Sequence, residues 1–250
     1  MKCKPAVVCV TSGPGATNAI TGVAGAWVDS IPMIVISGQT KSTLTIESSG
    51  LPLRCLGNQE IDIVPVVKPI TKNAVMIHKP EEIRRELEKA LYLSVNGRPG
   101  PVWIDIPLDI QGSKIDPDTL EGYMPTEQPD YAPKQADIDV IVEKLKTAKR
   151  PVIYAGNGIR IADAYPEFSQ LVEVLQIPVV TAWNSIDLMA TEDSCYAGRG
   201  GTMGDRAGNF AVQNSDFLLS LACRLNLYQS GYDVKTWARA AYTVVVDIDP

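Results

Sequence analysis

Short runs rich in β-branched residues recur along this 250-residue chain, and most are followed by a stretch with a helical pattern. The runs are AVVCV (6–10), PMIVIS (32–37), GPVWIDIP (100–107), PVIYAG (151–156), PVVTA (178–182), DFLLSLA (216–222) and YTVVVDID (242–249). Helices are predicted over 16–29, 80–96, 135–147, 163–175, 206–214 and 233–240. Continuous apolar runs of this length suit strands buried on both faces. Strands that alternate with helices pair in parallel, because each crossover carries the chain back to the same edge of the sheet. The expected fold class is therefore α/β, with two doubly wound parallel-sheet, Rossmann-like domains, both incomplete.

The division into two comes from the stretch between Asp116 and Pro133, which holds Pro117, Pro125, Pro129 and Pro133 and few apolar residues. Such a composition reads as a linker over 116–134, with domains at 1–115 and 135–250. In the 16–29 helix, Ile20, Val23, Ala24, Trp27 and Val28 form an apolar stripe expected to lie on the sheet. Ala16, Gly22, Gly25 and Ala26 keep a second face slim. In the 80–96 helix, Ile83, Leu87, Ala90, Leu91 and Ser94 are expected to line one side, and Glu82 to pair with Arg85. The polar stretch 38–60 is too long for an ordinary connection, so a functional or mobile loop is expected there. Pro65 and Pro69 argue against a central strand in 61–70.

Composition narrows the function. Hydrophobic residues make up 45% and charged residues 21%, as in a folded globular protein, and the formal net charge of -6 offers no basic stripe for phosphates. Nucleic acid and anionic membranes are thus excluded as expected partners. Five cysteines, Cys3, Cys9, Cys55, Cys195 and Cys223, form no C-x-x-C pair, which fits reduced thiols and argues against zinc. The apolar run near the N-terminus is too short for a signal peptide, and a cytoplasmic protein is expected. His78 is the sole histidine. It precedes a helix and reads as a solvated or capping residue rather than a catalytic base.

Two glycine turns follow strands. SGPGATN (12–18) lacks the Lys-Ser/Thr of a phosphate loop, and GNGIRIA (156–162) has Ile161 where a dinucleotide turn would have its third glycine. Taken together, however, VTSGPGATNAITGVAGAWVDSIPMIVISGQ, NQEIDIV, GRPGPVWIDIPLDIQ, RPVIYAGNG, AVQNSDFLLSLACRL and VVVDIDP resemble, in order and spacing, the thiamine-diphosphate-dependent acetolactate synthase family. The resemblance covers nearly the whole chain. It implies the latter part of a pyrimidine-binding domain in 1–115 and most of a central domain in 135–250.

By that resemblance, Gly13, Pro14 and Gly15 form a flat backbone shelf under the cofactor's aminopyrimidine ring, with Asn18 as a polar contact and Gln59 reaching the active site. A bond from Asn18 back to its own turn is the plainer alternative. The implied activity is decarboxylation of a 2-keto acid and carboligation to a second carbonyl, a transferase reaction of branched-chain amino-acid biosynthesis. The implied cofactors are thiamine diphosphate with Mg2+, and the implied partner is a second copy in at least a homodimer. Gly156, Gly158, Thr181, Gly200, Arg224 and Asp247 fall where relatives contact flavin adenine dinucleotide. The family's arginine-aromatic-Asp-Asp-Arg run is here RLNLY (224–228), which counts against flavin.

Two catalytic parts are missing by the same comparison. The glutamate that bonds the pyrimidine lies upstream of the turn in the family, yet no acid precedes Thr11. The Mg2+ motif is also absent: GDRAGN (204–209) has Arg206 at its second glycine, and Asp205 reads as a helix N-terminal acid. No metal ligand is assigned, and the chain is expected to be a fragment, inactive alone, with an unprotected strand edge near its start. The 38–60 loop and Asn58 look more like acetolactate-synthase-like proteins of surface-polysaccharide pathways, which leaves the 2-keto acid open. A dinucleotide-binding domain with unrelated chemistry and a non-enzymatic regulatory subunit are the rival readings.

Overall fold

The computed structural model describes residues 4–125 and 131–249, which fall into two compact units, one on each side of the undescribed segment. The first unit runs β1 (Ala6–Val10), α1 (Pro14–Val28), β2 (Met33–Gln39), α2 (Ile46–Ser49), α3 (Ile63–Val67), β3 (Ala74–Met76), α4 (Ile83–Val95), β4 (Pro101–Pro107) and α5 (Leu108–Gln111). All its strands are parallel, in the order β1-β2-β4-β3. Side chains alternate across the sheet, so Val35 and Trp103 pack with Ala16, Val23, Ile63 and Val67 from α1 and α3. Ile34, Val102 and Ile104 face the other way, onto Ala90 of α4 and Ile110 of α5. The sheet is thus covered on both faces, as a parallel sheet requires.

The second unit runs α6 (Gln135–Thr147), β5 (Pro151–Ala155), α7 (Gly158–Ile161), α8 (Tyr165–Leu175), β6 (Val179–Thr181), β7 (Tyr196–Arg199), α9 (Arg206–Asn214), β8 (Phe217–Leu221), α10 (Leu227–Ser230) and β9 (Tyr242–Val246). Its sheet is also parallel, ordered β7-β6-β5-β8-β9. Ile153, Phe217 and Leu219 pack under Phe168 and Val172 of α8, while Val152, Tyr154 and Leu218 pack against Val212 of α9 and Trp237.

Several expectations are corrected. Burial on α1 falls on Ala16, Val23 and Ala26, while Trp27 and Val28 are exposed. Small residues let the helix lie close on the sheet, so the expected stripe packs through Ile20 and Val23 while its C-terminal end, Trp27 and Val28, stays outside. On α4 the buried positions are Glu86, Ala90 and Ser94, with Leu87 and Leu91 exposed. Glu82 takes the main-chain N–H groups of His78 and Lys79 (3.0 and 3.2 Å), and the ion pairs on the helix join Arg84 to Glu88 at 2.9 Å and both Arg85 and Lys89 to Glu86 at 3.9 and 3.7 Å. The helix predicted over 233–240 is replaced by turns at 234–240, where Ala238 is buried with a left-handed φ of 46° that a helix cannot propagate.

β3 and β7 are too short to have shown as apolar runs, and both are edge strands. The first part of the expected linker is docked rather than free. Arg84 donates to the Leu120 carbonyl (3.1 Å), Glu88 accepts from the Tyr123 N–H (2.7 Å), and the Tyr123 ring meets Tyr92. β1 is an outer strand with Val7 exposed, so the predicted open edge is present. No helix among the described residues is long and apolar enough to cross a membrane.

Leu218 has no exposed surface and sits on β8, an inner strand of the second sheet. Leu218→Ala is expected to cost about 2–5 kcal/mol, read as a lower urea midpoint by circular dichroism. A cost under about 0.5 kcal/mol, the usual size for a surface change, would contradict this packing.

Candidate functional site

In the first unit the parallel strands deliver their carboxyl ends to one edge, and the loops after β1, β2 and β4 meet there. The turn after β1 is Ser12-Gly13, from which α1 starts with Pro14 in its first turn, where a missing N–H costs nothing. Gly13 is buried, Gly15 is half-buried, and Pro14 and Asn18 are exposed. Thr17, not Asn18, bonds back to the turn, its hydroxyl donating to the Pro14 carbonyl at 3.2 Å. The alternative of a local cap for Asn18 is therefore taken by its neighbour.

The structure brings Gln59 directly onto this turn. Gly13 has φ 55°, and a Cβ built on it would run into the main-chain carbonyl of Gln59. A Cβ on Gly15 would strike Thr11 Cγ2. The glycines are thus required by contacts within the chain, which corrects the picture of a backbone kept bare to face a ring. What remains open to a ligand is the ring of Pro14, flanked by the exposed side chains of Asn18 and Gln59. Gln59 itself has φ 56°, a left-handed conformation that is costly without glycine and persists only where surroundings enforce it.

Those surroundings begin with the residue after it. Glu60 is buried, and its carboxylate accepts three main-chain N–H groups, from Ile46 (2.5 Å), Leu56 (3.0 Å) and Gly57 (3.0 Å). Burial alone would raise its pKa, but the three donors outweigh it and hold the carboxyl below its ordinary value. The 38–60 loop is fastened further by the reciprocal Thr45–Ser48 capping bonds and by Asp109, which accepts from Ser42 N and Oγ at 2.9 and 2.5 Å. The expected long loop is thus an ordered one. Glu60 was not singled out by sequence reasoning. An acid beside a glutamine carries no periodic signal, and its donors lie 3 to 14 residues away.

In the second unit the flavin candidates gather at the carboxyl edge, yet most are occupied. A Cβ on Gly156 would strike the Ala222 carbonyl and Cys223, and one on Gly158 would strike Ala222. Their N–H groups go to Leu221 O and Ala222 O (2.9 and 3.1 Å), and those of Ile159 and Arg160 return to the turn itself. Thr181 is fully buried against the Tyr196 hydroxyl (3.3 Å), and Gly200 donates to the Thr181 carbonyl (3.1 Å) while abutting the Tyr154 ring. Arg224 and Asp247 are exposed. A turn whose donors are spent on its own main chain is not a pyrophosphate cradle, so these residues do not fit flavin adenine dinucleotide as a phosphate-binding turn would.

Asp205 also departs from expectation. It stands at the N-cap of α9, but its carboxylate does not cap the helix; it grips Arg199 N, Nε and Nη2 at 2.9–3.0 Å. The Arg199 bonds hold its pKa down at about 2. His78 is exposed, and Cys9, Cys55, Cys195 and Cys223 are free thiols, while Cys3 lies outside the described residues. Among the described residues no group of three His, Cys, Asp or Glu side chains is placed to hold a metal ion.

Comparison with known proteins agrees with the two-unit layout. The family model "Thiamine pyrophosphate enzyme, N-terminal TPP binding domain" matches residues 1–62, and "Thiamine pyrophosphate enzyme, central domain" matches residues 138–250. The chain belongs to the thiamine-diphosphate-dependent enzymes, in their acetolactate synthase family. It is 37% identical to the probable acetolactate synthase large subunit of Methanocaldococcus jannaschii, over 97% of this chain and 40% of that protein. It is 36% identical to the acetolactate synthase large subunit of Corynebacterium glutamicum, over 97% and 38%, and 34% identical to the chloroplastic acetolactate synthase of Arabidopsis thaliana, over 98% and 36%. The chain therefore spans roughly two fifths of the length of these relatives.

Gly13→Ala is expected to destabilise the protein by about 1–3 kcal/mol, because both φ and the Gln59 carbonyl oppose a Cβ. Gly22→Ala, in the interior of α1 with nothing within 4 Å, is expected to stabilise it by about 0.5–1 kcal/mol. Paired urea titrations check both, and equal effects would refute the Gln59 contact. Because the folded pKa of Glu60 lies below its ordinary 4.5, its contribution is present above that value and is lost as pH falls below it. Glu60→Gln should therefore flatten the acid limb of a stability–pH curve below 4.5. An acid limb unchanged in the variant would count against the clamp.

Proposed function

We propose that the exposed Pro14 ring, with Asn18 and Gln59 beside it, is the pyrimidine-side wall of a thiamine diphosphate site. The protein is then an acetolactate synthase-like enzyme that decarboxylates a 2-keto acid and joins the product to a second carbonyl. One observation carries this reading: the Gly13–Gln59 contact sets three open side chains around one turn, inside the segment matched by the thiamine pyrophosphate binding domain. Thiamine diphosphate, when bound, supplies the electron sink for such chemistry. This chain's part is to bind and orient: Pro14 offers a rigid apolar face, and the amides of Asn18 and Gln59 each offer a donor and an acceptor.

The reading assigns the rest of the site to other parts of a longer protein. Mg2+ takes hard oxygen ligands, and Asp205 is committed to Arg199. The diphosphate and its metal are therefore placed outside this chain, which alone would be inactive, and an open wall of this kind is completed by at least a second copy. The same reading takes the enzyme to work without flavin, since the turn after β5 spends its donors internally. The 2-keto acid is left as a class: the loop 38–60 that borders the wall is long, and Asn58 at its end is exposed, so an acceptor other than pyruvate is compatible with it.

The test uses the complete protein, assayed for carbon dioxide release from pyruvate and larger 2-keto acids. Turnover should require thiamine diphosphate and Mg2+. Gln59→Ala should lower kcat by about tenfold or more, and Pro14→Gly should weaken thiamine diphosphate binding. Turnover indifferent to thiamine diphosphate, or tight adenine-dinucleotide binding in its place, would overturn the proposal.

A further inference from the structure

Asp105 is a carboxylate with 1% of its surface exposed, on the inner strand β4. Its Oδ1 accepts from Ser37 Oγ at 2.5 Å, and Ser37 Oγ in turn accepts from Trp103 Nε1 at 2.8 Å. Its Oδ2 accepts from Gln39 Nε2 at 3.0 Å. That same Nε2 donates to the Ile61 carbonyl at 2.9 Å, while Gln39 Oε1 accepts the Thr40 N–H at 2.9 Å. The Thr40 N–H can only donate, so the amide has one orientation, with Nε2 toward both Asp105 and Ile61. Thr40 also lies against Gly57, whose N–H Glu60 holds. A continuous set of bonds therefore runs from the buried acid to the main chain two residues beyond Gln59.

We propose that Asp105 is a positioning residue of the site: through Gln39 it holds the Ile61 main chain and so fixes the left-handed bend that seats Gln59 on Gly13. The ionised acid holds most strongly. Thr40 fixes the Gln39 amide in its donating role, so Oδ2 must accept from it, and that bond is charge-assisted only while the acid is ionised. A proton settles on Oδ1, where Ser37 Oγ has a lone pair left beside the Trp103 bond, and the Gln39 N–H then meets only a neutral carbonyl oxygen. Burial pushes the Asp105 pKa up to about 6 against the lowering effect of Ser37 and Gln39, and Asp62, just before α3, adds to the rise; the other groups bonded to the carboxylate are neutral. The relay is accordingly intact at pH 7 and above and loosens as pH falls through about 6. The raised pKa also means that ionised Asp105 costs stability at neutral pH, so the fold would be more stable with the acid protonated.

The inference rests on the proposed function for its meaning but not for its test. Amide hydrogen exchange is measured on this chain as wild type, Asp105→Asn and Gln39→Met, at several pH values and corrected for intrinsic rates. Gln39→Met leaves the Asp105–Ser37–Trp103 bonds in place and cuts only the link to Ile61, so it remains informative if Asp105→Asn folds poorly. Exchange at pH 7 should rise about tenfold in residues 57–63 of Gln39→Met with β2 and β4 unchanged. In wild type, protection of 57–63 should fall between pH 7 and pH 5, and this dependence should vanish in Asp105→Asn. Unchanged exchange in 57–63 at pH 7, or loosening spread evenly over the unit, overturns the relay. In the complete protein Gln39→Met should lower kcat without a matching rise in KM. If kcat is unchanged in an enzyme that does need thiamine diphosphate, the positioning role falls. If the enzyme needs no thiamine diphosphate, the proposed function falls and the exchange result stands.

Discussion

Parallel strand pairing is the constraint from which the site follows. Because β1, β2 and β4 run the same way in register, Val10, Gln39 and Pro107 end at one edge, and the turns that leave them converge. The Gly13 turn, the Gln39 side chain and the end of the 38–60 loop can then meet without any element leaving the sheet's own plan. An antiparallel arrangement would send alternate loops to opposite ends and leave Gln59 nowhere to lean.

Within that frame the polar groups are arranged so that most buried charge has a stated partner. Glu60 takes three main-chain donors and ties the loop to itself, and Asp105 takes two side-chain donors and ties the loop to the sheet. Burial pushes both acids up, but their net shifts are opposite. Direct main-chain donors overcome desolvation at Glu60, whereas two side-chain donors do not at Asp105. The second unit spends its polar groups differently: Arg199 and Asp205 close the β7–α9 turn, and the turn after β5 is sealed by the main chain of β8 and its following loop.

Legibility in the sequence varied with range. The longer apolar runs and the helices α6 and α9 were readable because their periodicity is local, as was the proline argument against a strand in 61–70, where α3 forms. The three-residue β3 and four-residue β7 were not, since so short a run has no pattern to recognise. The buried face of α1 was read correctly at Ile20 and Val23 and misread at its C-terminal end, where hydrophobicity favoured Trp27 but the small Ala26 is the residue that is buried. The turn and Gln59 were legible as separate motifs, but the reason for Gly13, the approach of a carbonyl 46 positions away in sequence, was not.

The order of residues alone determined that this chain alternates strand and helix, divides near its proline-rich stretch, and carries a proline between two glycines and, separately, a conspicuous glutamine. Those features are local, set by side-chain shape and backbone freedom within a few residues. Tertiary structure alone decided that Glu60 and Asp105 brace that glutamine, that the glycines are filled by the chain's own atoms, and that the second unit's glycine turn is closed. Each depends on desolvation and on bonds between distant segments, which no local pattern encodes.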